Sequence, residues 1–353
     1  MNKARTKFIS GLILFGLNGI ISSRIILSST DIVFYRALTG SFFLILLCLY
    51  QFRSGRHLRY DAERQVFAPA AAAHGTSIRK SDGEGSQSSL VPQQFTHHIW
   101  DRPRQLAAVV MSGISMGLSW LFLYEAYRRI GVGLSSITYY CGPVIVMMLS
   151  PLVFRSRLTG RQIICFAAAF AGILMVSLPG VTGDAKVDAF GLVCGLASAL
   201  LHALMVIFTM KAPDITGMAN SAIQLAVSFI TVALPAAAVW LICAAGHGPG
   251  PLAAVFGSSL VLPAGPQQWF WVLFLGIVNT GVGCWLYFSK IAALPVTTVS
   301  ILGYLEPLSA VFFAVLLLDE SMTVWEWVGA AMILGSAAIS DLGTSRSKDT
   351  GNG

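Results

Sequence analysis

The sequence predicts an all-α polytopic membrane protein, with ten transmembrane helices arranged as two inverted five-helix repeats. Three observations predict it. The 353 residues are 55% hydrophobic and only 11% charged, where soluble domains carry about 25% charged residues. The apolar residues gather in runs of about 20, the length a helix needs to cross a hydrocarbon core of about 30 Å. The chain also repeats itself. A gap-free shift of 164 positions lays Pro143 on Pro307, Tyr140 on Tyr304, Ser136 on Ser300, Thr159 on Thr323, Ile137 on Ile301 and Val132 on Val296. Repeats with a helix breaker in the same place of both copies are a membrane-protein pattern.

The spans, in order, are roughly 8–28, 33–51, 105–128, 131–153, 161–178, 188–210, 218–243, 268–290, 294–318 and 324–341. The first follows Lys3, Arg5 and Lys7, a basic start like that of a signal peptide. Its apolar run continues too far for one, and it reads as a retained helix. Residues 1–51 hold helices 1 and 2, residues 105–178 hold helices 3 to 5, and residues 188–341 hold the second repeat, helices 6 to 10. Between helices 2 and 3, residues 52–104 include the run SDGEGSQSS and four histidines, His57, His74, His97 and His98. This composition reads as a flexible cytoplasmic insertion, and the histidines have no regular metal-ligand spacing. Residues 244–267 are Gly- and Pro-rich without a basic residue, an outer loop. Residues 342–353 form a cytoplasmic tail.

Orientation follows from the basic residues. With the N-terminus inside, inner segments hold 18 of the 23 Lys and Arg; only Arg24, Arg36, Arg128, Arg129 and Lys186 fall outside. The positive-inside bias then puts both termini in the cytoplasm. Five helices per half start the second copy on the opposite face, so the repeat is inverted. The net charge of +7 is explained by this loop asymmetry and needs no nucleic-acid partner. Cys48, Cys141, Cys165, Cys194, Cys243 and Cys284 all sit in apolar runs, as packing residues rather than metal ligands or disulfide partners.

Particular motifs sharpen the reading. Phe34–Tyr35–Arg36–Ala37 opens the second helix, Gly142–Pro143 lies in the fourth, and Arg157–Leu158–Thr159 follows it. Leu305–Glu306–Pro307 lies in the ninth, and Leu318–Asp319–Glu320–Ser321–Met322–Thr323 ends it. On these residues the chain resembles the drug/metabolite transporter superfamily, in its EamA-type branch. The last motif is similar to that branch's L-G-E-x-L-T turn, with Asp319 departing from the usual Gly. The resemblance covers nearly everything outside 52–104. It implies alternating-access transport of small metabolites or amphiphiles, usually outward and often driven by an ion gradient.

Glu306 is the sharpest site candidate. A charged side chain at the bilayer centre costs at least about 2.5–3.5 kcal/mol, so it faces a cavity or a partner. Pro307 supplies no N–H and disfavours helix at the residue before it, which would leave the carbonyl of Gly303 without its helix partner. Two readings stand: Glu306 carries a coupling proton, or it is a protonated brace on the freed backbone. Pro143 is its repeat mate's breaker. Asn18, His202 and Asn279 add midplane polar groups, Tyr140 and Tyr304 precede the two prolines by about one turn, and Trp120 and Trp285 lie in helices 3 and 8. Such a cavity suits amphiphilic or aromatic metabolites, whereas interhelical hydrogen bonds and plain packing are the duller roles for the same residues. Near the outer ends, Arg36 and Glu125 are candidates for a gate-closing salt bridge or for snorkelling.

The expected function is a secondary active transporter in the cell (inner or plasma) membrane, an exporter of amino acids or related compounds, with a coupling proton and no cofactor. A membrane-embedded enzyme would need a nucleophile or metal set, and neither HExxH nor a dense carboxylate group occurs. An accessory or receptor-like protein does not need matched midplane breaks. A sugar-nucleotide or phosphate exchanger would need several cations at the midplane, where none is expected.

Overall fold

The computed structural model describes residues 3–53, 102–154, 158–177, 188–244, 260–289 and 291–318, and between 324 and 339 all but 326, 334, 337 and 338. Their regular structure is entirely helical. α1 (Lys3–Phe15) and α2 (Asn18–Ser23) form a first run with a short turn at Gly16–Leu17. α3 (Ser29–Arg53), α4 (Pro103–Tyr139), α5 (Gly142–Phe154) and α6 (Gly160–Ser177) follow. α7 (Ala189–Met210) and α8 (Gly217–Ala244) come next. α9 (Gly265–Leu273) continues through a π-helical stretch, Phe274–Val282, into α10 (Gly283–Phe288). A 3-10 turn at Ile291–Ala293 leads into α11 (Val296–Leu302) and α12 (Leu305–Leu318).

By length and composition, six stretches can cross a membrane: Ala4–Ser23, Ser29–Tyr50, Pro103–Ile130, Ala189–Met210, Gly217–Leu241 and Gly265–Ala293; α5 is a shorter apolar helix. Phe42, Leu46 and Leu49 on α3, Ile163 and Ile164 on α6, and Phe312, Leu316 and Leu317 on α12 are exposed. Apolar surface on that scale fits a lipid environment. Polar groups turn inward instead. Ser112 donates to Gln224 Oε1 at 2.7 Å, Gln224 Nε2 donates to Asn220 Oδ1 at 2.7 Å, and Ser119 Oγ donates to the Ser198 carbonyl at 2.9 Å. All five of these side chains are buried; they tie α4 to α7 and α8 where no water competes.

One boundary differs from the expectation. Spans 105–128 and 131–153 do not meet in a loop at 129–130: α4 runs 37 residues without a break there, about 55 Å of helix. The charges that suggested a loop are paired along the helix itself, Arg128 and Arg129 reaching back to Glu125 at 2.5 and 2.6 Å. The break comes at Tyr140–Cys141, just before Gly142–Pro143. The insertion 54–100, the turn 319–323, the outer segment 245–259, Lys290 and the tail lie outside the described residues.

Small residues set the closest helix approaches. On α4, a Cβ on Gly113 would sit 2.7 Å from the Gln224 carbonyl, and one on Gly117 2.9 Å from the Ser228 carbonyl, so α4 and α8 meet almost backbone to backbone. α4 packs most extensively on α7 and also on α8; α3 packs on α8 and on the π stretch. α1 lies against α10 and α12, and α5 against α7 and α11.

Candidate functional site

The two proline breaks are built alike. Two residues separate α4 from α5, and two separate α11 from α12. Pro143 and Pro307 therefore fall in the first turn of a new helix, where an N–H has no intrahelical partner to lose. The expected orphan carbonyl does not occur: Gly303 O accepts from the N–H of Glu306 at 3.3 Å. This leaves no freed Gly303 carbonyl for the Glu306 side chain to bond. The breaks also lie side by side. A Cβ on Gly303 would come 3.4 Å from Pro143 Cγ, and one on Gly142 would come 3.2 Å from the His202 ring.

Beside the breaks is a cavity of about 50 Å³, room for a few waters. Its polar lining is Asn18, Arg36, His202, Glu306 and the tyrosines 127, 139 and 287; Trp120, Phe15, Met116, Leu123, Met205, Cys284 and Phe288 complete the wall. Glu306 is half-buried, and among the described residues nothing hydrogen-bonds its carboxyl group. Tyr139 OH lies 2.8 Å from His202 Nδ1, which fixes that ring against the end of α4.

Arg36 is the surprise of the site. It is only 3% exposed and lines the cavity, which the sequence had been expected to leave without a cation. Its Nε donates to Thr280 Oγ1 at 3.1 Å, and its Nη1 donates to Asn18 Oδ1 at 3.1 Å and to Tyr124 OH at 3.0 Å. The guanidinium lies 4.1 Å over the Trp120 ring and 5.7 Å from that of Tyr124, a cation–π arrangement. Thr280 is aimed by the π stretch: its hydroxyl donates to the Leu275 carbonyl, five residues back, at 2.8 Å. Such wide turns recur at functional positions.

Arg36 and Glu125 are not brought together as a gate. Glu125 is fully buried, but its partners are Arg128 and Arg129, and Arg129 reaches on to Asp188 at 2.8 Å. That network fastens α4 to the start of α7. Of the other candidates, Asn18, Trp120, His202 and Glu306 line the cavity. Pro143 and Pro307 are buried at the two breaks and are not among its lining residues. Tyr140 and Tyr304 are buried without lining it; Tyr304 packs 5.9 Å from the Phe166 ring, and its hydroxyl has no hydrogen-bond partner among the described residues. Asn279 donates to the Leu14 carbonyl at 2.7 Å, an interhelical tie. Trp285 stands under Lys7, 5.2 Å from its Nζ. Thr280, Tyr124 and Tyr139 were not expected at the site. A Tyr next to the predicted Tyr140, one helical step before the break, was the available signal for the last.

Apolar helices long enough to cross a membrane, with charged groups around a cavity between them, define a helical integral membrane protein. The EamA-like transporter family pattern matches residues 88–178 and 189–340, more than half of the sequence, and the chain belongs to that family. It is 20% identical over 251 residues to the Uncharacterized transporter YxxF of Bacillus subtilis (strain 168), covering 71% of this chain and 74% of that one. It is 24% identical over 242 residues to Protein PecM of Dickeya dadantii (strain 3937), covering 65% and 71%. A solved crystal structure shares the fold, with TM-score 0.67 at 15% identity over 97% of this chain and 99% of that one.

Proposed function

We propose that this chain is a secondary active transporter that exports small metabolites, amino acids or related amphiphilic and aromatic compounds, across the cell membrane by alternating access. The carrying observation is the cavity: one cation, Arg36, and one carboxyl group, Glu306, set in a wall of aromatic and apolar side chains at two adjoining helix breaks. A mostly apolar pocket with a few aimed polar groups is the usual shape of a small-molecule site. Breaks at the interface of inverted repeats are where secondary transporters hold substrate. The packing supports ten helices in two inverted halves. The α1–α12 and α5–α7 contacts exchange under the repeat, as do α1–α10 with α4–α7 and the α3–π contact with α4–α8. The basic-residue asymmetry supports cytoplasmic termini. Glu306, with an unbonded carboxyl open to the cavity, is the group we assign to proton coupling.

The test is metabolite profiling of the medium of cells that overexpress the protein, against cells expressing Glu306→Ala. Specific enrichment of small amphiphiles in the medium of the former is expected. Profiles from the overexpressing cells identical to those of cells lacking the protein would sink the exporter reading, whatever Glu306→Ala does.

A further inference from the structure

Arg36 has more donors than its surroundings use. Nε and Nη1 account for all its hydrogen bonds, to Thr280, Asn18 and Tyr124, every one of them a neutral oxygen. Nη2 has no hydrogen bond from any described residue, and no carboxylate pairs with the guanidinium among the salt bridges of the described residues. A buried cation bonded only to neutral groups is incompletely compensated, since removing a charge from water costs several kcal/mol unless an opposite charge replaces the lost hydration. The side chain is also held firmly: three hydrogen bonds and the Trp120 face at 4.1 Å fix the plane of the fork. A preorganised guanidinium with one nitrogen free is suited to a charge-assisted hydrogen bond from that nitrogen to an oxygen of an acid group.

We infer that Arg36 is the anchor for an acidic group on the transported molecule, with Nη2 donating to a carboxylate and Trp120 backing the contact. This rests on the transport reading and deepens it, because it restricts the substrate class to compounds with a carboxylate that reaches Arg36 while the remainder lies along the aromatic wall. Thr280 and Asn18 act as positioning residues, since they touch the guanidinium and hold its orientation. Glu306, on the same cavity, sits where it repels a second acidic group and accepts an amino group. Compounds with one acid are therefore favoured over those with two.

The test is binding to the full-length protein purified in detergent, which requires no flux. The probes are radiolabelled phenylacetate and phenylacetamide, of the same shape and differing in charge, followed by scintillation proximity at neutral pH. We expect wild type to prefer the acid at least tenfold, Arg36→Gln to lose the preference, and Arg36→Lys, which keeps the charge and loses the fork, to retain part of it. Should Arg36→Gln not fold, Thr280→Val, which keeps the cation but frees Nε, should weaken the acid several-fold and leave the amide unchanged. Equal affinity for the two probes in wild type, no binding of the acid at tens of millimolar, or a preference that survives Arg36→Gln would each overturn the assignment. Acid preference without export in the profiling experiment would remove the transport reading alone; export with no acid preference would remove Arg36 as anchor alone.

Discussion

At the scale of single residues, Glu306 separates two kinds of role. Its backbone N–H already serves the Gly303 carbonyl and its carboxyl group has no bond to lose among the described residues, so Glu306→Gln should fold and insert like wild type. If the carboxyl carries the coupling proton, uphill flux driven by an imposed pH gradient in proteoliposomes should drop at least about tenfold, the scale expected for losing a positioned proton carrier. Substrate exchange without a gradient should survive. Equal gradient-driven flux in the two proteins would leave Glu306 a lining residue only. Asp188 gives a contrasting, purely structural case. It caps α7 by accepting from Phe190 N–H at 3.0 Å, and it pairs with Arg129, whose side chain, before the backbone contact, holds this carboxyl below the usual carboxylate range. A carboxylate with a lowered folded-state value adds stability above its unfolded value, about 4, and loses it as pH falls through the folded one. The thermal stability of Asp188→Asn should therefore trail wild type slightly at pH 7 and converge on it as the pH falls below the folded-state value; a gap that persists in strong acid would show that the cap's geometry, not its charge, matters. Glu306, His202, Asn18 and Trp120 were legible in the sequence because a polar or large aromatic group in an apolar run needs a destination. Arg36 was placed at the outer boundary because span counting fixes where a Cα lies, whereas an Arg side chain reaches several ångströms further. Thr280 gave no signal, since its aim depends on a π stretch that no residue pattern in Phe274–Val282 marks.

At the scale of elements, the close approach of α4 and α8 can be broken on purpose. Gly113 faces the Gln224 carbonyl and the Val227 side chain, with 2.7 and 2.8 Å left for a Cβ. Gly113→Leu must push the helices apart, an overpacking cost of about 1–3 kcal/mol, and it would also strain the Ser112–Gln224 bond beside it. A clear fall in thermal unfolding temperature in detergent is expected; an unchanged temperature would mean that α4 and α8 do not meet this closely. The elements themselves were largely readable. α6, α7 and α8 begin and end within about a residue of the apolar runs, because at those places the hydropathy change and the helix end coincide. α4 was misread for a physical reason: Arg128–Arg129–Ile130–Gly131 has the composition of a loop, but Glu125 one turn earlier and Asp188, the cap of α7, neutralise it. The break at Gly142–Pro143 was visible because proline, lacking an N–H, fits the first turn of a new helix, although Pro151 and Pro235 lie inside continuous helices.

At the scale of the whole molecule, the bundle and its loops make separate predictions. Between the helix ends, residues 58–98 carry mostly charged and small residues in the sequence, and we expect them to be dispensable. Replacing 58–98 by a short flexible linker should preserve expression and export; a protein that inserts but no longer exports would give the segment a role. The proposed orientation rests on the basic residues, 18 of 23 of which it would put on the cytoplasmic side, in line with the positive-inside bias. This can be read directly with thiols. The native cysteines lie in apolar runs, and of those described, Cys165, Cys194 and Cys284 are buried and Cys48 and Cys141 half-buried, so an impermeant maleimide should find little background. A cysteine placed at Ser86, in the basic segment between α3 and α4, should stay unlabelled in intact cells and react once the membrane is permeabilised. One placed at Ser258, in the segment without basic residues before α9, should react in intact cells. Labelling at Ser86 with protection at Ser258 would invert the molecule and place Arg36 nearer the cytoplasmic mouth of the cavity. Labelling at both sites would mean that the two segments share a face, and the count of five helices per half would fall with it.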